Sequence, residues 1–250
     1  MAPTIKQKNE VEIMRSAGKI LAGIMDEIAS NVKPGVSTAL LDEIANDLCK
    51  KNNVEPAFLG YNDFPATLCV GLDDIAVHGI PSDKEVLKAG DLISIDMGIK
   101  HQGLYSDHAC TFGVGEIDNE GDKLIKTTKL ALLAGIKQAL DGNTTGDIGN
   151  AIEQIAILAG FSVITVMTGH GIGKKLHEEP AIPCFGDPGK GTKLKDGMIL
   201  AIEAMINEGE SDLIFEDDGW TTRTIDGKRS AIFEHTVLVK DNSPEILTIK

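Results

Sequence analysis

The sequence has little positive charge, no closely spaced cysteines and no long hydrophobic run. Its 24 Lys and Arg residues stand against 38 Asp and Glu residues, which gives a net charge of −14. The basic residues are scattered, whereas tight binding to nucleic acids or to anionic membranes depends on clustered basic side chains. The sequence therefore predicts neither kind of partner.

The cysteines and the apolar segments exclude further classes of protein. The four cysteines at positions 49, 69, 110 and 184 form no C-x-x-C pair, so we expect reduced thiols and neither a disulfide framework nor a structural zinc site. The polar start MAPTIKQKNE has no feature of a secretion signal. The apolar runs are far shorter than the roughly 18 residues that a membrane span needs. We therefore expect a soluble, cytoplasmic protein.

Periodicity along the chain indicates a mixture of helices and strands. Apolar residues recur at intervals of three and four over residues 10–29, which predicts an amphipathic helix. Further helices are predicted over residues 37–51, 121–140 and 147–159. Strands are predicted over residues 68–71, 92–99, 104–114, 161–166, 199–206 and 233–239. This mixture predicts an α+β fold.

One short internal similarity concerns the domain organisation. PGVSTALLDEIA, from Pro34, and DGNTTGDIGNAI, from Asp141, share a turn, a Ser/Thr-Thr pair and a helix start. The match indicates two related halves, 1–117 and 118–250, although chance likeness between two helix starts remains an alternative. No low-complexity linker separates the halves, so we expect one domain over residues 1–250.

Single carboxylates interrupt apolar strands in both halves. Asp96 interrupts DLISIDMGI, and a hairpin turn centred on KHQG would place Asp107 directly opposite it, unless the register differs by one or two residues. Glu203 and Glu234 interrupt ILAIEAMI and AIFEHTVLV in the same way. Opposed or buried carboxylates are costly unless a positive charge lies between them. A bound metal is the economical explanation.

The charges of these groups favour two divalent ions. Four carboxylates balance two divalent cations, and neutral His170, in the glycine-rich segment TGHGIGKKLHEEP, adds a nitrogen ligand. A water that bridges both ions would then become acidic. Oxygen-rich ligation with one imidazole favours Mn(II), Fe(II) or Co(II) over zinc.

These motifs resemble those of type I methionine aminopeptidases in their short bacterial form. The resemblance runs nearly end to end through KPGVSTALLDEI, FLGY, VHGIP, GDLISIDMGI, TGHGIG, LHEEP, LKDGMILAIEAM, DGW and FEHT. It implies the pita-bread fold, in which two pseudo-symmetric halves enclose a dinuclear metal site. It also implies removal of the N-terminal methionine from nascent proteins and peptides, with a small second residue preferred, by a metal-bridging hydroxide.

The resemblance assigns roles to individual positions. The implied metal ligands are Asp96, Asp107, His170, Glu203 and Glu234, of which Asp107 and Glu234 bridge the two ions. Glu203 resembles the proton shuttle, His177 the residue that hydrogen-bonds the scissile amide, and His78 its partner near the substrate nitrogen. The residues that match the methionine pocket are Tyr61, Phe64, Cys69 and Trp220. His101, His108 and His235 match no role, and we expect them to be structural or surface residues.

Five positions depart from the pattern of the family. Phe58 stands where many members carry Cys, and Leu176 where an aromatic residue is usual. Gly98 replaces a frequent Thr, Ala204 a common Pro and Asp73 a frequent Asn. None of these changes removes a ligand, so we expect activity with an altered rate or side-chain preference.

Two alternatives remain open at this point. A proline-specific aminopeptidase or prolidase of the same fold usually carries an additional N-terminal domain, whereas the motifs here begin almost at residue 1. A non-catalytic binding module would be marked by lost metal ligands, and none is lost. We expect a monomer that acts on peptide or nascent-protein N-termini. Transient contact with the ribosome stays open, without a basic cluster to support it.

Overall fold

The computed structural model describes residues 3–250, which form a mixed fold of four long helices and several sheets. The helices are α1 (Lys8–Ala29), α2 (Thr38–Lys51), α3 (Asn119–Ile136) and α4 (Thr145–Ala159). The strands of the N-terminal half are β1 (Glu55–Pro56), β2 (Cys69–Leu72), β3 (Ile75–Val77), β4 (Leu92–His101) and β5 (Leu104–Gly113). Those of the C-terminal half are β6 (Ser162–Val163), β7 (Thr168–Gly171), β8 (Glu178–Pro183), β9 (Ile199–Asn207), β10 (Leu213–Phe215), β11 (Thr222–Thr224), β12 (Ser230–Leu238) and β13 (Glu245–Ile246).

The two segments with similar sequence adopt the same helix-start structure. Gly35 and Gly142 both take a left-handed φ of 89°, a conformation that glycine adopts without steric cost. Two residues after each glycine, Ser37 and Thr144 cap α2 and α4 by accepting a backbone N–H three residues later. The similarity therefore reflects a shared turn and N-cap.

Two main sheets, each packed against a helix pair, meet at the centre of the molecule. In the first sheet β4 pairs with β1, β2 and β5, and in the second the strand order is β13-β12-β9-β7-β8, with β6 also on β9. Buried residues of α1 and α2 pack with the apolar side of β4, whereas those of α3 and α4 pack with β9 and β12. A small sheet of β10, β11 and β3 lies beside them.

The hairpin of β4 and β5 has a register different from the predicted one. His101 pairs with Leu104, and the intervening Gln102 and Gly103 both have positive φ, of 49° and 83°. This two-residue turn shifts the register by two positions, so that Asp96 pairs with Ala109 and Gly98 with Asp107. The direct Asp96–Asp107 pairing was therefore wrong. The two carboxylates are diagonal neighbours on one face of the hairpin.

Most of the long predicted elements are confirmed with small shifts of their ends. The strand predicted over 161–166 is an exception, because only Ser162–Val163 is extended there. The strands β7 and β8, on either side of the glycine-rich loop, were not predicted. No helix among residues 3–250 is long and apolar enough to cross a membrane.

Candidate metal centre

The five predicted ligands converge at the junction of the two main sheets. Each comes from a different strand: Asp96 from β4, Asp107 from β5, His170 from β7, Glu203 from β9 and Glu234 from β12. All five line one cavity of about 380 Å³. Asp107, His170 and Glu234 each offer a ligand atom within 4.8 Å of the others. The fold thus brings together five side chains that are spread over residues 96 to 234 of the sequence.

The carboxylates are buried, and their mutual repulsion disfavours the charged forms. Burial raises the pKa of Asp107 to about 7, and burial together with the neighbouring Asp107 raises the pKa of Glu203 to about 8. Burial and the surrounding carboxylates raise the pKa values of Asp96 and Glu234 well above their ordinary range. This cluster therefore requires protons or cations for stability.

Two further observations fit a cation at this place. Asp96 Oδ1 is buried and has no hydrogen-bond partner among the described residues, which is unusual for a carboxylate oxygen in a folded protein. Burial lowers the pKa of His170 to about 3, so its imidazole is neutral. Its Nδ1 donates to the carbonyl of Gly171 at 3.0 Å, which leaves the Nε2 lone pair 3.9 Å from Asp107 Oδ2. Four carboxylates and one imidazole nitrogen suit divalent ions that prefer oxygen ligands.

The second histidine of the glycine-rich loop faces the same cavity. The ring centroids of His177 and His170 are 4.4 Å apart in an edge arrangement. His177 Nδ1 is hydrogen-bonded to the Tyr61 hydroxyl at 2.8 Å. Because Nδ1 is engaged with Tyr61, Nε2 is the nitrogen of His177 that can bind a ligand in the cavity.

The predicted pocket residues form one wall of the cavity. Tyr61, Phe64, Cys69 and Trp220 all line it, as does His78. Trp220 makes edge contacts with Phe64 at 5.1 Å and with His78 at 6.3 Å between ring centroids. The structure adds lining residues to which the sequence analysis assigned no role: Asn62, Val77, Val166, Met167, Thr168, Met205 and Ile232.

The five departures from the family pattern have different surroundings. Phe58 and Leu176 line the cavity, and a Cβ atom at Gly98 would lie 2.8 Å from Phe58 Cε1. The Phe58 ring and Ala57 Cβ, which would lie at 2.9 Å, thus occupy the space of a side chain at position 98. Ala204 is fully buried in β9. Asp73 is outside the cavity, where its carboxylate accepts a hydrogen bond from the Leu92 amide.

Two of the histidines without a matched role lie on the opposite face from the metal ligands. His108 and His235 stack with ring centroids 4.7 Å apart. His108 Nδ1 donates to the Glu234 carbonyl, and His235 Nδ1 is hydrogen-bonded to Thr248. The third, His101, lies at the end of β4 beside the hairpin turn. We therefore describe His108 and His235 as structural residues.

The sequence profile of metallopeptidase family M24 matches residues 12–241. This chain belongs to that family. It is 46% identical over 245 residues to the methionine aminopeptidase of Clostridium perfringens, with 98% of each chain covered. It is 43% identical to methionine aminopeptidase 1 of Bacillus subtilis, with 97% of this chain and 98% of the relative covered.

Solved structures agree with the family assignment. The methionine aminopeptidase of Thermotoga maritima superimposes with a TM-score of 0.98 at 40% identity, with all of both chains covered. The Xaa-Pro dipeptidase of Bacillus anthracis, at 22% identity, has a TM-score of 0.79 and shares the fold alone. The M24 chain therefore has the pita-bread fold, and its clustered ligands support the use of divalent metal.

Proposed function

We propose that this M24 peptidase is a methionine aminopeptidase, which removes the N-terminal methionine from nascent proteins and peptides and prefers a small second residue. The observation that carries the proposal is one cavity lined by both the buried ligand cluster and the residues that match a methionine pocket. The relatives named methionine aminopeptidase, at 43–46% identity over nearly the whole chain, support the same activity.

The ligands divide between two ions. Asp107 and Glu234 would bind to both ions, Asp96 would complete the ligands of one, and His170 and Glu203 would complete those of the other. Mn(II), Fe(II) or Co(II) suits these ligands better than zinc. When bound, such ions act as Lewis acids and activate water for attack on an amide. The buried, mutually repelling carboxylates are thereby neutralised.

The protein residues around the ions bind substrate and move protons. In the proposed tautomer His177 carries its proton on Nε2, so Nδ1 accepts from the Tyr61 hydroxyl and the Nε2–H donates to the carbonyl oxygen of the scissile amide. Glu203 would accept a proton from the attacking water and then transfer it to the leaving amine. His78 lies near the substrate nitrogen. Tyr61, Phe64, Cys69 and Trp220 surround the thioether of the methionine, a flexible and polarisable group that packs well against aromatic rings.

The domain organisation, oligomeric state and cellular location of the enzyme are part of the same proposal. The whole chain, 1–250, acts as one catalytic domain with halves 1–117 and 118–250, and it works as a monomer in the cytoplasm. Its net charge of −14 gives no electrostatic attraction to RNA or to anionic membranes. Contact with the ribosome, if it occurs during methionine removal, is transient.

The activity is tested with peptides that differ only in their first residue. Purified protein is loaded with Mn(II), Fe(II) or Co(II) under reducing conditions, and release of the first residue is measured from Met-Ala-Ser and from matched peptides beginning with Leu, Ala or norleucine. We expect metal-dependent release of methionine alone. Release of another residue would overturn the substrate assignment and keep the reaction, whereas no release with two bound ions would favour a binding module.

A pair of variants tests the ligand assignment. Asp107→Asn removes a bridging charge and should abolish both turnover and full metal loading. Asp47→Asn, at a side chain that is 77% exposed and far from the cavity, should change neither. Full activity in Asp107→Asn would contradict the dinuclear assignment.

A further inference from the structure

The edge of β5 that faces away from β4 lies beside β12, and threonine hydroxyls connect the two strands. Thr236 Oγ1 accepts from the Asp107 amide at 2.9 Å and donates to the Asp107 carbonyl at 2.8 Å. Farther along, Thr111 Oγ1 accepts from the Ile232 amide and donates to the Ile232 carbonyl, both at 2.9 Å. Each threonine therefore satisfies both backbone groups of one residue on the opposite strand. We call this contact the threonine seam.

The two threonines make similar hydrogen bonds, but the residues that they bind on the opposite strand differ. Each threonine hydroxyl has one further serine contact, Ser106 Oγ for Thr236 at 3.3 Å and Ser94 Oγ for Thr111 at 2.8 Å. Both threonines are buried, at 0% and 3% exposure. Thr236 holds Asp107, which is in the ligand cluster, whereas Thr111 holds Ile232, which offers no ligand atom.

We propose that Thr236 is a positioning residue that sets the separation of the two bridging carboxylates. Its hydroxyl fixes the backbone of Asp107, and its own strand carries Glu234 two residues away on the same face. One side chain thus ties together the strands that supply both bridging ligands. The inference rests on the two-ion site of the proposed function.

The threonine hydrogen bonds matter because no backbone hydrogen-bond ladder joins β5 to β12 among the described residues. β5 pairs with β4, and β12 pairs with β9 and briefly with β13. Near the ligands His108, which donates to the Glu234 carbonyl, also connects the two strands. A bridging carboxylate contacts both ions, so a small movement of β5 relative to β12 alters both sets of ligands at once. Residues that orient metal ligands typically change metal affinity by about 10- to 100-fold when they are removed.

The test compares three variants of the full chain. Thr236→Val keeps the shape of the side chain and removes the hydroxyl, Thr236→Ser restores a hydroxyl, and Thr111→Val removes the equivalent bonds at the other end. Binding of Mn(II) to metal-free protein is followed by calorimetry. The spin coupling between two bound Mn(II) ions is followed by electron paramagnetic resonance. Where Thr236→Val does not fold, Thr236→Cys takes its place, because a thiol is a weak hydrogen-bonding group.

We expect wild-type protein and Thr111→Val to bind two spin-coupled ions, and Thr236→Val to bind the second ion at least about tenfold more weakly with altered coupling. Thr236→Ser should recover most of the affinity. Unchanged affinity and coupling in Thr236→Val would overturn the proposal, as would equal weakening in Thr111→Val. Fewer than two ions in wild-type protein would overturn the two-ion site itself, and with it the role of Thr236.

Discussion

Glu203 and Glu234 lie directly opposite each other in the antiparallel pair of β9 and β12. Like charges in such a pair destabilise a sheet, and here both carboxylates also lie in a buried cavity with Asp96 and Asp107. The protein thus places four repelling groups where two cations can neutralise them. The site is arranged for the metal-loaded state and is costly in the metal-free one.

The first prediction concerns the stability of the metal-free protein. Glu234→Gln replaces a carboxyl whose ionisation opposite Glu203 is unfavourable, so we expect chelator-treated protein to gain roughly 1 kcal/mol in free energy of unfolding above about pH 8, where Glu203 is ionised. The same variant should lose high-affinity metal binding. Urea denaturation with and without chelator measures the first effect, and calorimetry the second.

Glu245→Gln is the matched control for this prediction. Glu245 has an attractive partner, Arg15, whose Nε lies 2.5 Å from Oε1, so neutralising it should give no gain in stability. A Glu234→Gln protein that is less stable than wild type in chelator would show that repulsion does not dominate at this pair.

The second prediction is a fall in stability of the metal-free protein between pH 6.5 and pH 8. The folded pKa of Asp107 is raised to about 7 and that of Glu203 to about 8, above the unfolded values near 4. A group with a raised folded pKa holds its proton more tightly in the native state. Its stabilising contribution is therefore present at low pH and is lost as the pH rises through the folded pKa.

The window is chosen to separate the carboxylates from the histidines. Burial lowers the pKa values of His108 and His170 to about 4 and about 3, so they weaken the fold only below their unfolded value of about 6.5. Thermal melting in chelator at pH 6.5 and pH 8 measures the effect. Saturating Mn(II) should remove the fall, and a metal-free protein that is more stable at pH 8 would contradict the prediction.

The sequence predicted that these carboxylates interrupt strands, but it did not predict how the strands pair. Alternating apolar residues showed that Asp96 and Glu234 interrupt strands. The Glu203–Glu234 pairing was not predictable, because the strands are far apart in the chain and no hairpin turn sets their register. For Asp96 and Asp107 the sequence KHQG indicated a hairpin turn, but it allows more than one turn centre. In the structure the turn residues are Gln102 and Gly103, and this centre sets the register of the hairpin.

The strand that carries His170 was not predicted, because its glycines are typical of a loop. The segment TGHG has the composition of a loop, yet β7 pairs there with β8 and β9. A Cβ atom at Gly169 would lie 2.5 Å from the Ala201 carbonyl oxygen, and one at Gly171 would lie 2.1 Å from that of Glu179. These glycines permit the close approach of neighbouring backbones, a tertiary requirement that local propensity does not reveal.

The third prediction concerns the buried pair of Lys6 and Glu178, which anchors the loop of His177. Lys6 Nζ lies 2.7 Å from Glu178 Oε2, and the side chains are 5% and 11% exposed. Lys6→Met would remove the cationic partner of the carboxylate beside His177 and leave it with hydrogen bonds from the Thr4 hydroxyl and the Lys175 amide. We expect a loss of about 3 kcal/mol in stability and a fall in kcat of at least about tenfold. Metal binding should be unchanged, because the assigned ligands are not disturbed.

Lys174 provides the control for the loop. It also pairs with a carboxylate, Glu10 at 3.0 Å, but its side chain is 77% exposed. Lys174→Met should therefore change stability by less than about 1 kcal/mol and leave kcat unchanged. Equal kinetic effects of the two substitutions, measured on Met-Ala-Ser, would show that the buried pair has no special role.

The last prediction links two departures from the family pattern. A Cβ atom at Gly98 would lie 2.8 Å from the Phe58 ring, 2.9 Å from Ala57 Cβ and 3.3 Å from Asp107 Oδ1. Removal of the ring relieves the first of these contacts. Gly98→Thr alone should therefore cost about 2 kcal/mol by overpacking, and Phe58→Cys alone about 3 kcal/mol by leaving a cavity. In the double variant the threonine fills space that the ring has left. The combined loss should be at least about 1 kcal/mol smaller than the sum of the single losses.

A second cycle distinguishes compensation from general tolerance. Phe161 is a buried phenylalanine in the other half, packed with residues of the α3 and α4 core. Gly98→Thr and Phe161→Cys should therefore have additive effects on the free energy of unfolding. KM for Met-Ala-Ser, measured on the same proteins, tests whether the change at position 58 affects substrate binding. We expect Phe58→Cys to raise KM and the double variant to have a KM below that of Phe58→Cys. Additive stability losses in the Gly98–Phe58 cycle would mean that the two departures are independent.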